Sequence, residues 1–231
     1  MKKGVLFFLV SIIGMSVALC QDSFRETRNV RNFNRISFSI AGTMNIKIGP
    51  EFSVVLEGDR KDVEEVETDV SNGRLIIKHD NWRFRFYDRV DVYITMPELN
   101  GLGVSGSGKV EIKDDLKSAD LDLSVSGSGR IVTSGLDINK LGCSISGSGN
   151  IILGEGTAGK ANLSISGSGN LSGDEVKITS FDVGVSGSGN CTCYVTGSLE
   201  ASISGSGHVT YKGNPSIDAR VSGSGHVRSA R

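Results

Sequence analysis

One tetrapeptide, Ser-Gly-Ser-Gly, constrains the fold of this chain more than any other feature, because it occurs seven times. Val or Ile always precedes it, and the second residue after it is always Val, Ile, Leu or Cys. Successive copies begin 18 to 21 residues apart, at Ser105, Ser126, Ser146, Ser166, Ser186, Ser204 and Ser222. A repeat of this length with fixed apolar positions is typical of a solenoid, in which each repeat forms one coil.

Residues 121–131 show how each coil is expected to be oriented. Apolar residues and glycines share one parity, and polar residues share the other. Side chains alternate between the two faces of a strand, so we expect one set inside and the other outside. A corner with glycines at positive φ is the alternative, with a different orientation of the serines. The inward set is Leu121, Leu123, Val125, Gly127, Gly129 and Ile131, and the outward set is Ser126, Ser128 and Arg130.

The coil pattern extends toward the N-terminus in a degenerate form. Residues 35–48 alternate as a half-buried strand does, with Ile36, Phe38 and Ile40 on one face. Residues 40–46, Ile-Ala-Gly-Thr-Met-Asn-Ile, align with residues 145–151, Ile-Ser-Gly-Ser-Gly-Asn-Ile. This alignment places Ala41 at the first position of the tetrad and predicts the same coil geometry there.

The remaining N-terminal residues predict further short β-strands. Asn72-Gly73 lies between two apolar runs, which is a strong hairpin signal because both residues tolerate positive φ. We expect an extended start at residues 22–35, a short surface helix or turn at 59–67, and strands at 52–57, 75–78, 82–86 and 90–96.

The first twenty residues predict export. Lys2 and Lys3 precede an apolar run over residues 5–19, which is too short for a transmembrane helix and fits a signal peptide. Cleavage before Gln21 is one interpretation, and lipidation of Cys20 is the alternative. The formal net charge of −1 gives no basic excess for nucleic acid or an anionic membrane surface.

Three further cysteines, Cys143, Cys191 and Cys193, leave an odd number in an oxidising compartment. By the repeat, Cys143 aligns with Leu123 and Leu163, and Cys191 aligns with apolar residues that follow other tetrads. We therefore expect buried free thiols that pack as small hydrophobic side chains. A Cys-X-Cys metal or redox site is the alternative, although no partner ligands lie at a suitable spacing.

The chain resembles a bacterial family, the putative autotransporter adhesin, head GIN domain family. The resemblance rests on residues 38–48, Glu57-Gly58-Asp59, residues 73–77, residues 90–99, and Val104-Ser105-Gly106-Ser107-Gly108 with its repeats. It implies an all-β fold, a right-handed single-stranded parallel β-helix with a β-rich N-terminal portion. The expected division is residues 1–20 as signal peptide, 21–100 as N-terminal portion and 101–231 as repeat β-helix.

No motif predicts catalysis, a cofactor or a metal. Residues 103–109 resemble a phosphate-binding loop, but Val110 stands where Ser or Thr would hold Mg²⁺. The repeat predicts that His208 and His226 lie one coil apart, either as surface residues or sharing a metal. It also stacks Asp182, Glu200 and Asp218, which either splay into water or bind a cation.

Residues 82–86 form the best candidate binding patch of the N-terminal portion. Trp82, Phe84 and Phe86 share one parity, and Arg83 and Arg85 share the other. An aromatic core face with a basic outer face is one interpretation. An exposed aromatic and arginine platform for sugars or a protein partner is the other.

The leading functional hypothesis is an exported, non-catalytic adhesin that presents a repetitive face to a glycan or an envelope protein. Self-assembly is the second, because the last coil ends at residues 226–231 without an evident cap and offers unpaired strand edges to another copy. A polysaccharide-active β-helix enzyme is the third.

Overall fold

A computed structural model describes residues 23–79 and 89–230, and β-strands dominate these residues. The strands are β1 (Phe24–Arg28), β2 (Arg35–Phe38), β3 (Thr43–Ile48), β4 (Ser53–Gly58), β5 (Val66–Ser71), β6 (Arg74–His79), β7 (Asp91–Met96), β8 (Gly101–Gly106), β9 (Lys109–Ile112), β10 (Leu116–Gly127), β11 (Arg130–Thr133), β12 (Leu136–Gly147), β13 (Asn150–Ile152), β14 (Gly156–Gly167), β15 (Asn170–Gly187), β16 (Asn190–Gly205), β17 (His208–Lys212), β18 (Ser216–Gly223) and β19 (His226–Ser229). A short helix, α1 (Arg60–Glu64), lies between β4 and β5.

The repeats form a β-solenoid of about six turns, which confirms the predicted fold class. Most repeat coils contribute one short and one longer strand, whereas in β15 and β16 the two run together as a single strand. Each segment pairs in parallel with its equivalent in the next coil. The register follows the repeat, so Leu123 lies beside Cys143 and Cys143 beside Leu163. The core is therefore a set of stacked columns of buried Leu, Ile, Val and Cys.

The tetrad forms a corner of the coil. Its first glycine has positive φ, as at Gly127 (106°) and Gly147 (108°). Its second glycine is buried, and a Cβ atom on Gly129 would lie 2.8 Å from the carbonyl oxygen of Gly108. Both serines are nevertheless exposed. The predicted outward serines are thus confirmed, and they coexist with the positive φ that the alternative proposed.

The coils at the N-terminal end do not stack in chain order. Strand β2 pairs in parallel with β6 on one side and with β8 on the other. Strand β3 likewise lies between β7 and β9. The coil of residues 35–48 is therefore inserted between the coil of residues 74–96 and the first repeat coil. All these strands belong to one hydrogen-bonded sheet, which is continuous across the predicted boundary between residues 100 and 101.

The degenerate tetrad has coil geometry, but the predicted alignment is wrong by two residues. Phe38 pairs with Val104, and Met44 pairs with Val110, so Gly42 occupies the position of the second tetrad glycine. A Cβ atom on Gly42 would collide with the carbonyl oxygen of Val90 in the neighbouring coil. The close approach of the Gly42 and Val90 backbones therefore determines the register of this coil. The sequence alignment matched Ile40 with Ile145, and this match does not correspond to the register.

Antiparallel strands cover the N-terminal end. Strand β4 pairs with β7, β1 pairs with β4, and β5 pairs with β6 through the predicted Asn72-Gly73 turn. The side chain of Asp59 caps α1 by accepting a hydrogen bond from the amide of Lys61 at 2.9 Å. Val63 of this helix is fully buried, so the predicted surface helix packs one face on the core. Within the described residues, no helix is long and apolar enough to cross a membrane.

Candidate functional site

Two adjacent columns, one of serine and one mostly of serine, line part of the outer surface of the long strands, and we call this surface the serine face. One column is the first serine of each tetrad, and the other lies two residues earlier. The second column is interrupted by Gly103, Gly184 and Arg220. In-register pairing repeats the side chains at the strand spacing, about 4.8 Å. The exposed members are Ser105, Ser126, Ser146, Ser166, Ser186, Ser204 and Ser222 in the first column, and Ser124, Ser144, Ser164 and Ser202 in the second.

A column of acidic residues borders the serine face. Asp182, Glu200 and Asp218 are aligned in successive strands and exposed, which confirms the predicted stacking. Asp218 forms an ion pair with Arg220 at 3.0 Å, so one of the three carboxylates has a cationic partner. Across residues 23–79 and 89–230, no group of three or more His, Cys, Asp or Glu side chains is arranged to hold a metal ion.

An asparagine ladder stands beside the tetrad corner. The Nδ2 of Asn170 donates to the Oδ1 of Asn150 at 3.0 Å, and the Nδ2 of Asn190 donates to the Oδ1 of Asn170 at 2.9 Å. Each side chain bonds its equivalent one coil away, so the ladder fixes the corner along the stack.

His208 and His226 continue this column and lie one coil apart, as predicted. Their rings stack with centroids 3.9 Å apart and an angle of 30° between their planes. Desolvation, with the nearby His208 and Arg228 as smaller contributions, lowers the pKa of His226. To share a metal ion, the two imidazoles would have to point nitrogen lone pairs, which lie in the ring planes, at one common point. In stacked rings these lone pairs point in nearly parallel directions and do not converge. The stacked geometry therefore does not form a chelating pair.

The three described cysteines are buried and free, and their predicted burial is confirmed. Burial raises the pKa of Cys143 to about 12, with a smaller effect from Asp122. A hydrogen bond with Cys193, together with burial, raises the pKa of Cys191 well above its usual value. Nucleophilic and metal-binding chemistry requires the thiolate, which is disfavoured at Cys143 and Cys191, so these two thiols pack as core side chains. Cys193 is fully buried in the same core.

A family model described as "Putative auto-transporter adhesin, head GIN domain" matches residues 32–215. The chain belongs to this family. The head GIN domain match spans both the inserted N-terminal coil and nearly all the repeats, and it confirms the resemblance seen in the sequence.

Solved structures share the fold of this head GIN domain. A putative adhesin from Bacteroides fragilis is 27% identical with a TM-score of 0.86, covering 91% of this chain and 98% of its own. A protein described as a putative lipid binding protein, from Parabacteroides distasonis, is 21% identical with a TM-score of 0.76, covering 92% and 98%. A putative adhesin from Parabacteroides merdae is 24% identical with a TM-score of 0.72, covering 92% and 98%. A comparison with curated proteins found no match.

Two sets of predicted site residues fall outside the described residues. The candidate patch of Trp82, Arg83, Phe84 and Arg85 is one, and Cys20, the point of cleavage or lipidation, is the other. The serine column that begins at Ser124 was missed by the sequence reasoning. Its signal is present in the repeat, because serine recurs two residues before most of the tetrads.

Proposed function

We propose that this head GIN domain protein is an exported, non-catalytic cell-envelope adhesin, and that its serine face binds glycan. The observation that carries the proposal is the register of the long strands, which aligns serine hydroxyls in two exposed columns. A hydroxyl both donates and accepts hydrogen bonds, so such a surface complements a polyhydroxylated chain. The adhesin name of the family and of the 27% identical B. fragilis protein supports the same role.

The acidic column strengthens this choice of ligand. Carboxylates at Asp182 and Glu200 accept strong hydrogen bonds from sugar hydroxyls at the border of the face. The face itself carries few charges, so we expect neutral sugars to bind more tightly than acidic ones, which the carboxylates repel. A flat repetitive surface also contacts several sugar units at once, which raises the avidity for long chains.

A glycan array with the mature protein tests the proposal, and the same glycans are assayed for cleavage products. We expect binding to extended neutral glycans without turnover. Product release would overturn the non-catalytic assignment, and absence of binding to any glycan would overturn the glycan assignment.

Matched variants locate the binding surface. Ser164→Arg places a bulky side chain in the middle of the serine face and should weaken binding about 10-fold or more. Thr157→Arg is the control, because Thr157 is an exposed hydroxyl residue of the same strand, β14, on another side of the coil. Equal binding by wild type and Ser164→Arg would show that the ligand binds elsewhere.

Export is tested separately from binding. Mass spectrometry of the mature N-terminus from the native host should show either a chain beginning at Gln21 or a lipid on Cys20. An intact N-terminus that retains Met1 would contradict export through a cleaved signal.

A further inference from the structure

Strand β18, residues 216–223, differs from the other long strands in its exposure. It pairs in parallel with β16 along one edge, and no described strand pairs with its other edge. All eight of its residues are exposed. Its outer edge therefore presents backbone N–H and C=O groups that can pair with another chain.

The inner side of β18 exposes apolar side chains that belong to core columns. Ile217 and Val221 are each 43% exposed. Their partners in β16, Leu199 and Ile203, are only 1% and 2% exposed. In the other coils, the next coil buries the equivalent side chains. Among the described residues no strand does this for Ile217 and Val221, so a strand that docks on β18 would bury them.

The opposite end of the solenoid is already covered. Antiparallel strands β1, β4 and β5, together with α1, surround the outermost coil there. Leu75 and Ile77 of that coil are fully buried. The two ends are not equivalent, so a second copy could not continue the stack indefinitely.

The sequence of β18 is complementary to itself when two copies run antiparallel with Ala219 at the centre. On the inner side this register places Ile217 opposite the partner's Val221. On the outer side it places Asp218 opposite the partner's Arg220. Registers centred on Asp218 or Arg220 would instead oppose two like charges, which destabilises a strand pair. A shift by one residue would turn the apolar set outward.

We propose that two copies of the chain form a dimer through antiparallel pairing of their β18 strands about Ala219. The dimer continues the sheet from one solenoid into the other and buries Ile217 and Val221 of both copies. Because the same edge is used by both, the interface closes at two copies and does not grow into a filament. The two solenoids lie end to end, which doubles the length of the serine face. This inference is independent of the identity of any ligand.

Analytical ultracentrifugation of the full mature chain over about 1 to 500 µM tests the dimer. We expect a dimer that dissociates on dilution. A strict monomer throughout this range, or assemblies that grow beyond two copies, would overturn the proposal.

A charge swap tests the register. Asp218→Arg and Arg220→Asp each oppose like charges across the interface and should raise the dissociation constant about 10-fold or more. The double variant restores opposite charges and should return to within about threefold of the wild type. All these positions are exposed, so the variants should fold, which circular dichroism checks. Failure of the double variant to recover would exclude the register.

A cysteine placed at the centre gives an independent readout. Ala219→Cys brings two thiols directly opposite each other, and air oxidation should yield a covalent dimer on a non-reducing gel. Ser222→Cys is the control, because the same register places it opposite the partner's Ser216. Cross-linking of the control but not of Ala219→Cys would overturn the proposal.

Discussion

The backbone oxygen of Gly127 accepts a hydrogen bond from the amide of Ser148 at 2.9 Å and lies 2.7 Å from the position that a Cβ atom on Gly147 would occupy. The same carbonyl thus links two coils and leaves no space for a side chain. This relationship explains why the tetrad repeats without change, since glycine is needed both for positive φ and for the close approach.

Gly147→Ala should therefore destabilise the fold by at least about 2 kcal/mol, from backbone strain and from displacement of the neighbouring coil. Gly184→Ala is the control, because Gly184 lies in a serine column, has ordinary φ, and its Cβ would find the nearest atom at 3.7 Å. It should be neutral or stabilise by up to about 1 kcal/mol. Denaturant unfolding measures both, and equal effects would contradict this explanation.

Each asparagine of the ladder should contribute to the free energy of unfolding in proportion to the number of ladder hydrogen bonds that it makes. Asn170 makes two ladder hydrogen bonds and Asn190 makes one, so Asn170→Ala should cost about 1–2 kcal/mol and Asn190→Ala about half as much. The exposed Ser168 is a control in the same corner, and Ser168→Ala should change the free energy of unfolding by less than about 0.5 kcal/mol. Thermal and urea unfolding provide the measurement.

The buried cysteines should resist alkylation in the folded protein. With its pKa raised to about 12, Cys143 has only about one thiolate in 10,000 thiols at pH 8, and its burial blocks access as well. Iodoacetamide followed by peptide mass spectrometry should find Cys143, Cys191 and Cys193 unmodified until denaturant is added. Ser186→Cys on the serine face is the reactive control, and rapid native labelling of Cys143 would contradict its burial.

An ion pair between Asp174 and Lys212 makes stability depend on pH. The Nζ of Lys212 lies 2.9 Å from the Oδ2 of Asp174, and the hydrogen bond lowers the pKa of Asp174 and raises that of Lys212. The stabilisation from Asp174 is present above the ordinary pKa of aspartate, about 4, and is lost as the pH falls through its lowered value. That from Lys212 is present below the ordinary lysine pKa and is lost as the pH rises through its raised value.

Lys212→Gln should therefore be less stable than the wild type at pH 7, and the difference should shrink as the pH falls below about 4. Urea unfolding at several pH values measures it. Lys160→Gln removes the same charge at an exposed corner of β14 and should show a smaller effect. A difference between Lys212→Gln and wild type that persists in acid would assign the effect to packing.

The repeat region was predictable because every coil needs buried apolar residues and corner glycines at the same positions. Columns such as Leu123, Cys143 and Leu163 follow from the spacing alone, and so does the alignment of His208 with His226. The burial of Cys143 followed from its column, although its residue type alone would have suggested a disulfide.

The N-terminal coils were less predictable because their pairing is not periodic. Insertion of residues 35–48 between two later coils depends on the path of the loops, which no local pattern encodes. The shifted alignment of Gly42 has a related cause, since the nearby Val90 carbonyl that determines it is distant in sequence. The second column of the serine face is harder to predict than the tetrad, because glycine or arginine replaces serine at Gly103, Gly184 and Arg220.

The inserted coil also sets an order for folding. Residues 35–48 precede both of the flanking coils in the chain, so they cannot form their parallel pairs until residues 74–112 are also available. This closure joins segments far apart in sequence and is expected to be the slow step. Every later coil closes a loop of about 20 residues onto a coil that has already formed, so the chain beyond residue 112 can fold by adding one coil at a time.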